Sequence, residues 1–275
     1  MDIVSALVLG IVQGLAEYLP ISSSGHLQIF QDLLGLDISG AESLEFDVML
    51  HVATVLSTIV VLWKEFLPLC KSFFGLRNDA NTTYVLKILV SCIPVAIVGL
   101  CFKEVVEGFF GASLTLVGVC LCITAALLAF SYFFRTNPAT AKHPGFEPRN
   151  ISWLDAFIIG IAQAIAVLPG LSRSGSTIAT GIILGDKREQ VAQFSFFMVI
   201  IPILGQALLD LKGIIYPDAA ATTSSVGIAP MLVGFFSSFI VGCLACKWML
   251  NIVKKGKMVW FAVYCLLVGI LCIVF

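Results

Sequence analysis

Two short polar segments in an otherwise apolar chain carry residue types that could do chemistry. The first is YLPISSSGH, Tyr18–His26, and the preceding QGLAE places Gln13 and Glu17 four positions apart. Side chains at this spacing lie on one face of a helix. An ionisable side chain at membrane depth is costly, so Glu17 indicates a functional site. The alternative is that Glu17 snorkels or forms a structural ion pair with Arg173.

The serines of the first segment could bind an anion at the start of the following helix. Unpaired N–H groups and the helix dipole attract negative charge at that place. Capping of the helix needs a single serine, whereas Ser22, Ser23 and Ser24 supply three hydroxyl groups. Beside them and Glu17, His26 could act as an acid, a base or a nucleophile.

The second segment, VLPGLSRSGST at Val167–Thr177, combines an arginine with hydroxyl groups and glycines. Arg173 offers a planar fork of N–H donors that fits phosphate oxygens. The other polar or flexible members are Ser172, Ser174, Ser176, Thr177, Gly170 and Gly175. Glycines permit tight turns and a close approach of the backbone to a ligand. The segment therefore predicts an oxyanion site, with phosphate as the favoured ligand, and an acidic residue from the other segment could add a divalent cation.

The composition places both segments in a membrane protein. Of the 275 residues, 59% are hydrophobic and 12% are charged, and the mean hydropathy is +1.02. Soluble domains carry roughly 25% charged residues. A net charge of −1 provides no basic surface for nucleic acid. The nine cysteines lie mostly in apolar runs and are interpreted as small packing residues rather than zinc ligands.

Apolar stretches of about 20 residues predict membrane-spanning helices. Six candidates are Val48–Trp63, Tyr84–Phe102, Leu114–Phe134, Phe194–Leu211, Ile228–Trp248 and Met258–Phe275. Two further stretches stop at Pro20 and Pro169, pass through the polar segments and resume as short apolar pieces. This pattern predicts two re-entrant helix–loop–helix elements, with two ordinary spans carrying polar kinks as the alternative.

Basic residues indicate how the chain is oriented, because cytoplasmic loops collect lysine and arginine. One topology places thirteen of the sixteen basic residues on the cytoplasmic side. In this topology the first re-entrant element enters the membrane from the outer face, and the second enters it from the cytoplasm. Arg173 stays inside the second polar segment, which indicates a functional charge.

An internal repeat is consistent with this topology. At an offset of 150 the Gln13 and Ser22-x-Ser24-Gly25 positions match Gln163 and Ser172-x-Ser174-Gly175. We therefore predict one all-α polytopic domain over residues 1–275. It has inverted-topology repeats at approximately 1–135 and 151–275 and a cytoplasmic linker at approximately 135–150. Such repeats put a polar site near the bilayer midplane.

Together the segments resemble a known family. QGLAEYLPISSSGH and PGLSRSGST are similar to the (E/Q)xxxE–PxSSxGH and PGxSRSxxT motifs of the undecaprenyl-diphosphate phosphatases, also called bacitracin-resistance proteins. Length, hydropathy and motif spacing agree over essentially the whole chain. The resemblance implies a multi-pass hydrolase of the bacterial inner (plasma) membrane whose site opens to the outer face. It would release the terminal phosphate of undecaprenyl diphosphate and so recycle the lipid carrier for cell-wall synthesis.

The resemblance also implies roles for particular residues. Glu17 and Gln13 match the two positions of the acidic box and would hold Mg²⁺ or Ca²⁺. Ser23 and His26 match the residues proposed for catalysis, and Arg173 matches the phosphate clamp. Substrate-binding support would come from Gln13, Ser22, Gly170, Ser172, Ser174, Gly175 and Thr177. The nucleophile stays open between Ser23, which is favoured, His26 and water.

The same residues are also compatible with a second function. A transporter or flippase of an anionic or phosphorylated lipid could use the same Arg173 and Glu17 within an inverted repeat. The expected partners are a polyprenyl diphosphate and membrane lipid, with no nucleic acid, and the oligomeric state stays open, a homodimer included. For Glu45, Asp47 and His51, an exposed helix start is favoured over a place at the mouth of the site.

Overall fold

Helices account for the secondary structure of the described residues, as the apolar composition predicts. This computed structural model describes residues 1–36, 40–102, 113–136, 148–215 and 226–274, together with residues 105 and 108. The helices are α1 (Ile3–Ala16), α2 (Ser23–Leu33), α3 (Gly40–Val61), α4 (Trp63–Phe74), α5 (Ala80–Cys101), α6 (Leu114–Thr136), α7 (Trp153–Ile165), α8 (Arg173–Leu184), α9 (Arg188–Met198), α10 (Ile200–Ile215), α11 (Ile228–Lys254) and α12 (Val259–Val274).

Several of these helices are long and apolar enough to cross a bilayer. Within the described ranges they are Ala80–Cys101, Leu114–Phe134, Ile228–Lys254 and Arg188–Leu209, the last of which joins α9 to α10. A fifth results if Phe46–Val61 and Trp63–Phe74, which meet at 91°, form one bent span. The chain is an all-α integral membrane protein with four or five such spans by length and composition.

Two of the six spans predicted from the sequence are not among these long helices. The predicted span Val48–Trp63 ends in the sharp bend between α3 and α4. Met258–Phe275 becomes α12, whose 16 residues make a rod of about 24 Å, shorter than a hydrocarbon core of about 30 Å. The outward sides of α10, α11 and α12 are apolar, with Leu208, Ile240 and Leu267 exposed.

The two polar segments lie in the turns of two helix–turn–helix units, α1–α2 and α7–α8. The helix α1 is capped by Asp2, whose carboxylate accepts a 2.8 Å hydrogen bond from the Ser5 amide. The helix α7 begins with a capping box between Ser152 and Asp155. With 14 and 13 residues, both helices are shorter than the roughly 20 residues that span a bilayer.

The first helix of each unit packs against a long helix of the other half of the chain. The helix α1 packs on α11, and α7 packs on α5. Glycines allow both contacts: a Cβ on Gly14 would lie 2.7 Å from the Ser238 carbonyl oxygen, and one on Gly160 would lie 2.8 Å from Ser91 Cα. Small residues at membrane helix interfaces permit such close backbone approach. The two halves are thus interleaved, and α6 and α12 pack together beside them.

Polar contacts gather several helix ends at one end of the bundle. The Lys87 ammonium of α5 donates a 2.7 Å hydrogen bond to the Ile151 carbonyl just before α7. Lys254, at the end of α11, forms a 2.6 Å ion pair with Glu189 in the first turn of α9. An isolated parallel bridge joins Arg149 to the turn after α8. Basic residues from distant parts of the sequence therefore share one end of the molecule.

Candidate active site

The first turn begins where α1 ends, one residue before Glu17. Residues 17–21 form turns, and Ser22 then caps α2 by accepting a 3.3 Å hydrogen bond from the Gly25 amide. Ser22 has a φ of 70°, a value that residues with a side chain rarely adopt. Strained backbone of this kind clusters at functional sites.

The second turn is built in the same way at the start of α8. Gly170 has a φ of 89°, and a Cβ there would lie 2.5 Å from the Val117 carbonyl oxygen, so only glycine fits. Ser172 caps α8 by accepting a 3.1 Å hydrogen bond from the Gly175 amide. Its own amide donates a 3.0 Å hydrogen bond to the Thr124 hydroxyl of α6.

The two turns meet in the middle of the molecule. A Cβ on Gly25 would lie 2.9 Å from Gly170 Cα, so these glycines let the two backbones touch. The Ser174 hydroxyl donates a 3.1 Å hydrogen bond to the Leu19 carbonyl. Segments separated by about 150 residues therefore form one structural unit. The hydrogen bond from Ser174 holds the backbone two residues after Glu17.

Glu17 is the centre of this unit. One carboxylate oxygen, Oε1, is paired with the Arg173 guanidinium. The other, Oε2, accepts 2.9 Å hydrogen bonds from Gln13 Nε2 and from the Ser23 hydroxyl. The Glu17 side chain is 5% exposed and that of Arg173 is 18% exposed. The structure thus brings together four of the residues predicted from the two motifs.

A histidine outside the motifs also faces Glu17. His51 Nδ1 lies 2.6 Å from the Asp47 carbonyl and donates to it, which leaves Nε2 pointing at Glu17 Oε2 at 3.7 Å. In the part of the chain that the structure describes, His51 is the histidine within ion-pair distance of this carboxylate. The favoured expectation of an exposed helix start was wrong for His51, whose side chain is 27% exposed. The side chain of Glu45 lies outside the described residues.

Arg173 is supported from α8 and α9. Its Nη1 donates a long, 3.5 Å hydrogen bond to the Ser195 carbonyl. The Thr177 hydroxyl donates to the Arg173 carbonyl at 2.9 Å and lies 2.6 Å from the Ser195 hydroxyl. Thr177 therefore supports the helix turn that carries Arg173. Ser195 was not predicted, because it lies in the apolar run QFSFF with no motif around it.

A small cavity adjoins the Glu17–Arg173 pair. Besides these two residues its walls include Tyr18, Thr54, Thr58 and Phe196. The Tyr18 hydroxyl is held by the Thr54 carbonyl at 2.6 Å and by the Thr58 hydroxyl at 2.8 Å. The cavity beside the pair is therefore lined by both polar and apolar side chains.

His26 contacts residues other than those that contact Glu17. Its Nδ1 lies 2.9 Å from the Ser22 carbonyl, and its Nε2 lies 2.8 Å from the Tyr264 hydroxyl. Tyr264 belongs to α12 and lies 238 positions further along the chain, so no local pattern could have predicted the contact.

The oxygen donors near Glu17 could hold a divalent cation. Gln13 Oε1 is buried and has no hydrogen-bond partner, although the Nε2 of the same side chain is bonded to Glu17. Hard cations take oxygen ligands, and Mg²⁺ is commonly held by one or two carboxylates together with substrate phosphates. Among the described residues, no three His, Cys, Asp or Glu side chains lie close enough together to hold a metal ion by themselves. The donor set fits a cation that is shared with a phosphate ligand.

The arrangement has the parts needed for transfer of a phosphoryl group. A serine hydroxyl bonded to a carboxylate can be activated as a nucleophile. A guanidinium within reach can stabilise charge that develops on phosphate oxygens. The pairing of Arg173 with Glu17 keeps both groups oriented before a substrate binds.

Comparison with known proteins covers the whole chain. The family model described as "Bacitracin resistance protein BacA" matches residues 6–271. An "Undecaprenyl-diphosphatase" of Bacteroides fragilis is 53% identical over 274 residues, which is 100% of this chain and 98% of that protein. The protein of the same name from Parabacteroides distasonis is 53% identical over 269 residues, or 98% and 96% of the two chains. One from Methanosphaera stadtmanae is 36% identical over 289 residues, or 100% and 98%.

Proposed function

The chain belongs to the bacitracin resistance protein BacA family, and we propose that its phosphatase site is the unit formed by Glu17, Ser23, His26 and Arg173. The protein is an undecaprenyl-diphosphate phosphatase, which hydrolyses undecaprenyl diphosphate to undecaprenyl phosphate and inorganic phosphate. The observation that supports the site is the Glu17 carboxylate, which holds the Ser23 hydroxyl on one oxygen and Arg173 on the other.

The chemistry proposed for this unit begins at Ser23. Its Oγ attacks the terminal phosphorus while the hydroxyl proton passes to Glu17 Oε2. The Oγ–P bond forms, the P–O bond to the bridging oxygen breaks, and undecaprenyl phosphate leaves. Arg173 turns its free N–H groups to the transferred phosphoryl group and spreads its charge. Water then attacks the phosphoserine with His26 as base, Glu17 returns its proton to Ser23 Oγ as the Oγ–P bond breaks, and inorganic phosphate is released.

A divalent cation would be held by Gln13 Oε1 and the Glu17 carboxylate together with diphosphate oxygens. Mg²⁺ or Ca²⁺ bound there would neutralise phosphate charge and so assist attack. Gln13 Oε1 supports this assignment, because the oxygen is buried without a partner. An apolar environment makes an unpaired carbonyl oxygen costly, and cation binding would relieve that cost.

For the membrane topology we propose six crossings and two re-entrant units arranged as inverted repeats within one domain. The mirrored contacts of α1 with α11 and of α7 with α5 support the repeats at approximately 1–135 and 151–275. The basic residues gathered at one end of the bundle support a cytoplasmic face there. The site would then open to the outer face of the bacterial inner membrane, where the lipid carrier is recycled.

Purified protein in detergent provides the test of this function. Undecaprenyl diphosphate is supplied as substrate, and phosphate release is followed with and without a metal chelator. Steady release that a chelator suppresses and added Mg²⁺ or Ca²⁺ restores is the expected result. Binding or transfer of the lipid across vesicles without phosphate release would contradict the phosphatase function and favour transport.

A further inference from the structure

The helix α12 holds the first turn at two neighbouring positions. The Tyr264 hydroxyl lies 2.8 Å from His26 Nε2, and the two rings stack with centroids 5.6 Å apart at an angle of 17°. The next residue, Cys265, directs its thiol to the Pro20 carbonyl at 3.4 Å. Neither residue belongs to a sequence motif, yet together they hold both ends of the turn that carries Ser23.

The contacts of His26 define which nitrogen carries the proton in the neutral ring. The Ser22 carbonyl can only accept a hydrogen bond, so Nδ1, at 2.9 Å from it, is the protonated nitrogen. Nε2 is then an acceptor, and the Tyr264 hydroxyl is its donor. The same Ser22 carbonyl also accepts from the His26 amide at 3.1 Å, which fixes its direction.

We propose that Tyr264 is a positioning residue for the phosphatase reaction, acting through His26, and this proposal rests on the proposed function. The Tyr264 hydroxyl donates a hydrogen bond to the Nε2 lone pair, which His26 would otherwise use to attack phosphorus. His26 therefore serves as a proton acceptor. When Nε2 takes the proton of the attacking water, the tyrosine hydroxyl turns and its oxygen accepts from the new N–H, because a hydroxyl can both donate and accept. Attack on phosphorus is left to Ser23, beside Glu17.

The substitution Tyr264→Phe tests this role, since it keeps the ring that stacks on His26 and removes only the hydroxyl. Tyr84→Phe in α5 is the matched control, because the Tyr84 ring packs on Phe194 and Phe197 away from the turns. The chain has only three histidines, so ¹⁵N resonances of labelled histidine can be assigned with single histidine variants. Spectra are recorded without substrate, and kcat and KM are measured on the same samples.

The wild-type protein is expected to show His26 with a protonated Nδ1 and a hydrogen-bonded, unprotonated Nε2. In Tyr264→Phe the Nε2 resonance should move to the position of a free acceptor nitrogen, with an unchanged melting temperature. The kcat should fall about tenfold at an unchanged KM, as for loss of one neutral hydrogen bond. Tyr84→Phe should leave the resonance and kcat unchanged.

Two results would overturn the role of Tyr264. One is a wild-type His26 protonated at Nε2, and the other is an active Tyr264→Phe protein with an unmoved Nε2 resonance and unchanged kcat. Failure of the proposed function itself would look different, because the wild-type protein would then release no phosphate whatever its histidine spectrum.

Discussion

Two adjacent serines provide a matched test of the nucleophile. The Ser23 hydroxyl donates a 2.9 Å hydrogen bond to Glu17, whereas the Ser24 hydroxyl lies 3.5 Å from that of Ser22. Both side chains are half-buried. Replacing each by alanine removes one oxygen atom at neighbouring positions of the same helix turn, so the local effects on folding are similar.

The expected magnitude separates the candidate mechanisms. If water attacks, Ser23→Ala removes only a charge-assisted hydrogen bond to Glu17, of about 1.5–3 kcal/mol, and kcat falls about 10- to 100-fold. If Ser23 attacks, its loss removes the phosphoserine route and leaves only binding and electrostatic stabilisation. In serine hydrolases, loss of the nucleophile lowers kcat by about 10⁶-fold. We therefore expect a fall of at least about 10³-fold for Ser23→Ala and less than about threefold for Ser24→Ala.

The assay is single-turnover release of phosphate from undecaprenyl diphosphate with enzyme in excess. Acid quenching of the wild-type reaction, followed by mass spectrometry, should find phosphate on the peptide that contains Ser23. Retention of about a hundredth or more of the wild-type kcat by Ser23→Ala would refute Ser23 as the nucleophile. Phosphate located on His26 instead would refute both this assignment and the role given to Tyr264.

Three further predictions concern the base, the contact between the turns and a helix cap. Glu17→Gln keeps the volume but not the base, and kcat should fall about 10²- to 10⁴-fold in the phosphate-release assay. Gly25→Ala puts a Cβ 2.9 Å from Gly170 Cα and should destabilise the protein by about 1–3 kcal/mol in thermal unfolding. The control Gly205→Ala, whose Cβ would have nothing within 4 Å, should leave the stability unchanged. Equal melting temperatures of the two variants would contradict the contact between the turns. Asp79, the half-buried cap of α5, has its pKa lowered from its usual value by a backbone N–H and a serine hydroxyl. Asp79→Ala should therefore lower the melting temperature at neutral pH, and the difference should vanish as the pH falls through that lowered pKa; a difference that persists in acid would show that the carboxylate charge is not its source.

The local features of the fold could be predicted from the sequence. Pro20 and Pro169, with the serines that follow them, marked where α1 and α7 stop. Proline and helix-capping serines affect the backbone within one or two helix turns of their own position, so their effect can be recognised from the sequence. The pairing of Glu17 with Arg173 was also anticipated, as an alternative structural role for Glu17. The glycines at 25 and 170 matter for a reason that appears only in three dimensions, where their backbones touch.

Features set by distant packing could not be predicted in the same way. The 91° bend between α3 and α4 falls in the run VVLWKEF, which contains neither glycine nor proline. Tyr264 and Ser195 reach the site from apolar helices, where one hydroxyl among many apolar residues carries no periodic signal. His51 was considered but given an exposed position, because its approach to Glu17 depends on how α3 packs beside α1.

Loss of Arg173 perturbs stability as well as the site, and the two effects can be separated. Removing Arg173 leaves the buried Glu17 carboxylate without its guanidinium partner, which typically costs about 3–5 kcal/mol. In Glu17→Gln/Arg173→Ala the uncompensated charge is gone, so thermal stability should recover while activity stays lost. This double variant shows whether lost turnover reflects the site rather than unfolding.

Phosphate release from undecaprenyl diphosphate by folded Arg173→Ala tests the central claim most directly. The control is Arg77→Ala, which removes an exposed arginine three residues after the end of α4. We predict that Arg173→Ala loses about 10³-fold or more in kcat/KM per folded molecule, while Arg77→Ala keeps the wild-type value. Near-wild-type turnover by Arg173→Ala would contradict the assignment of the phosphatase site to the two joined turns.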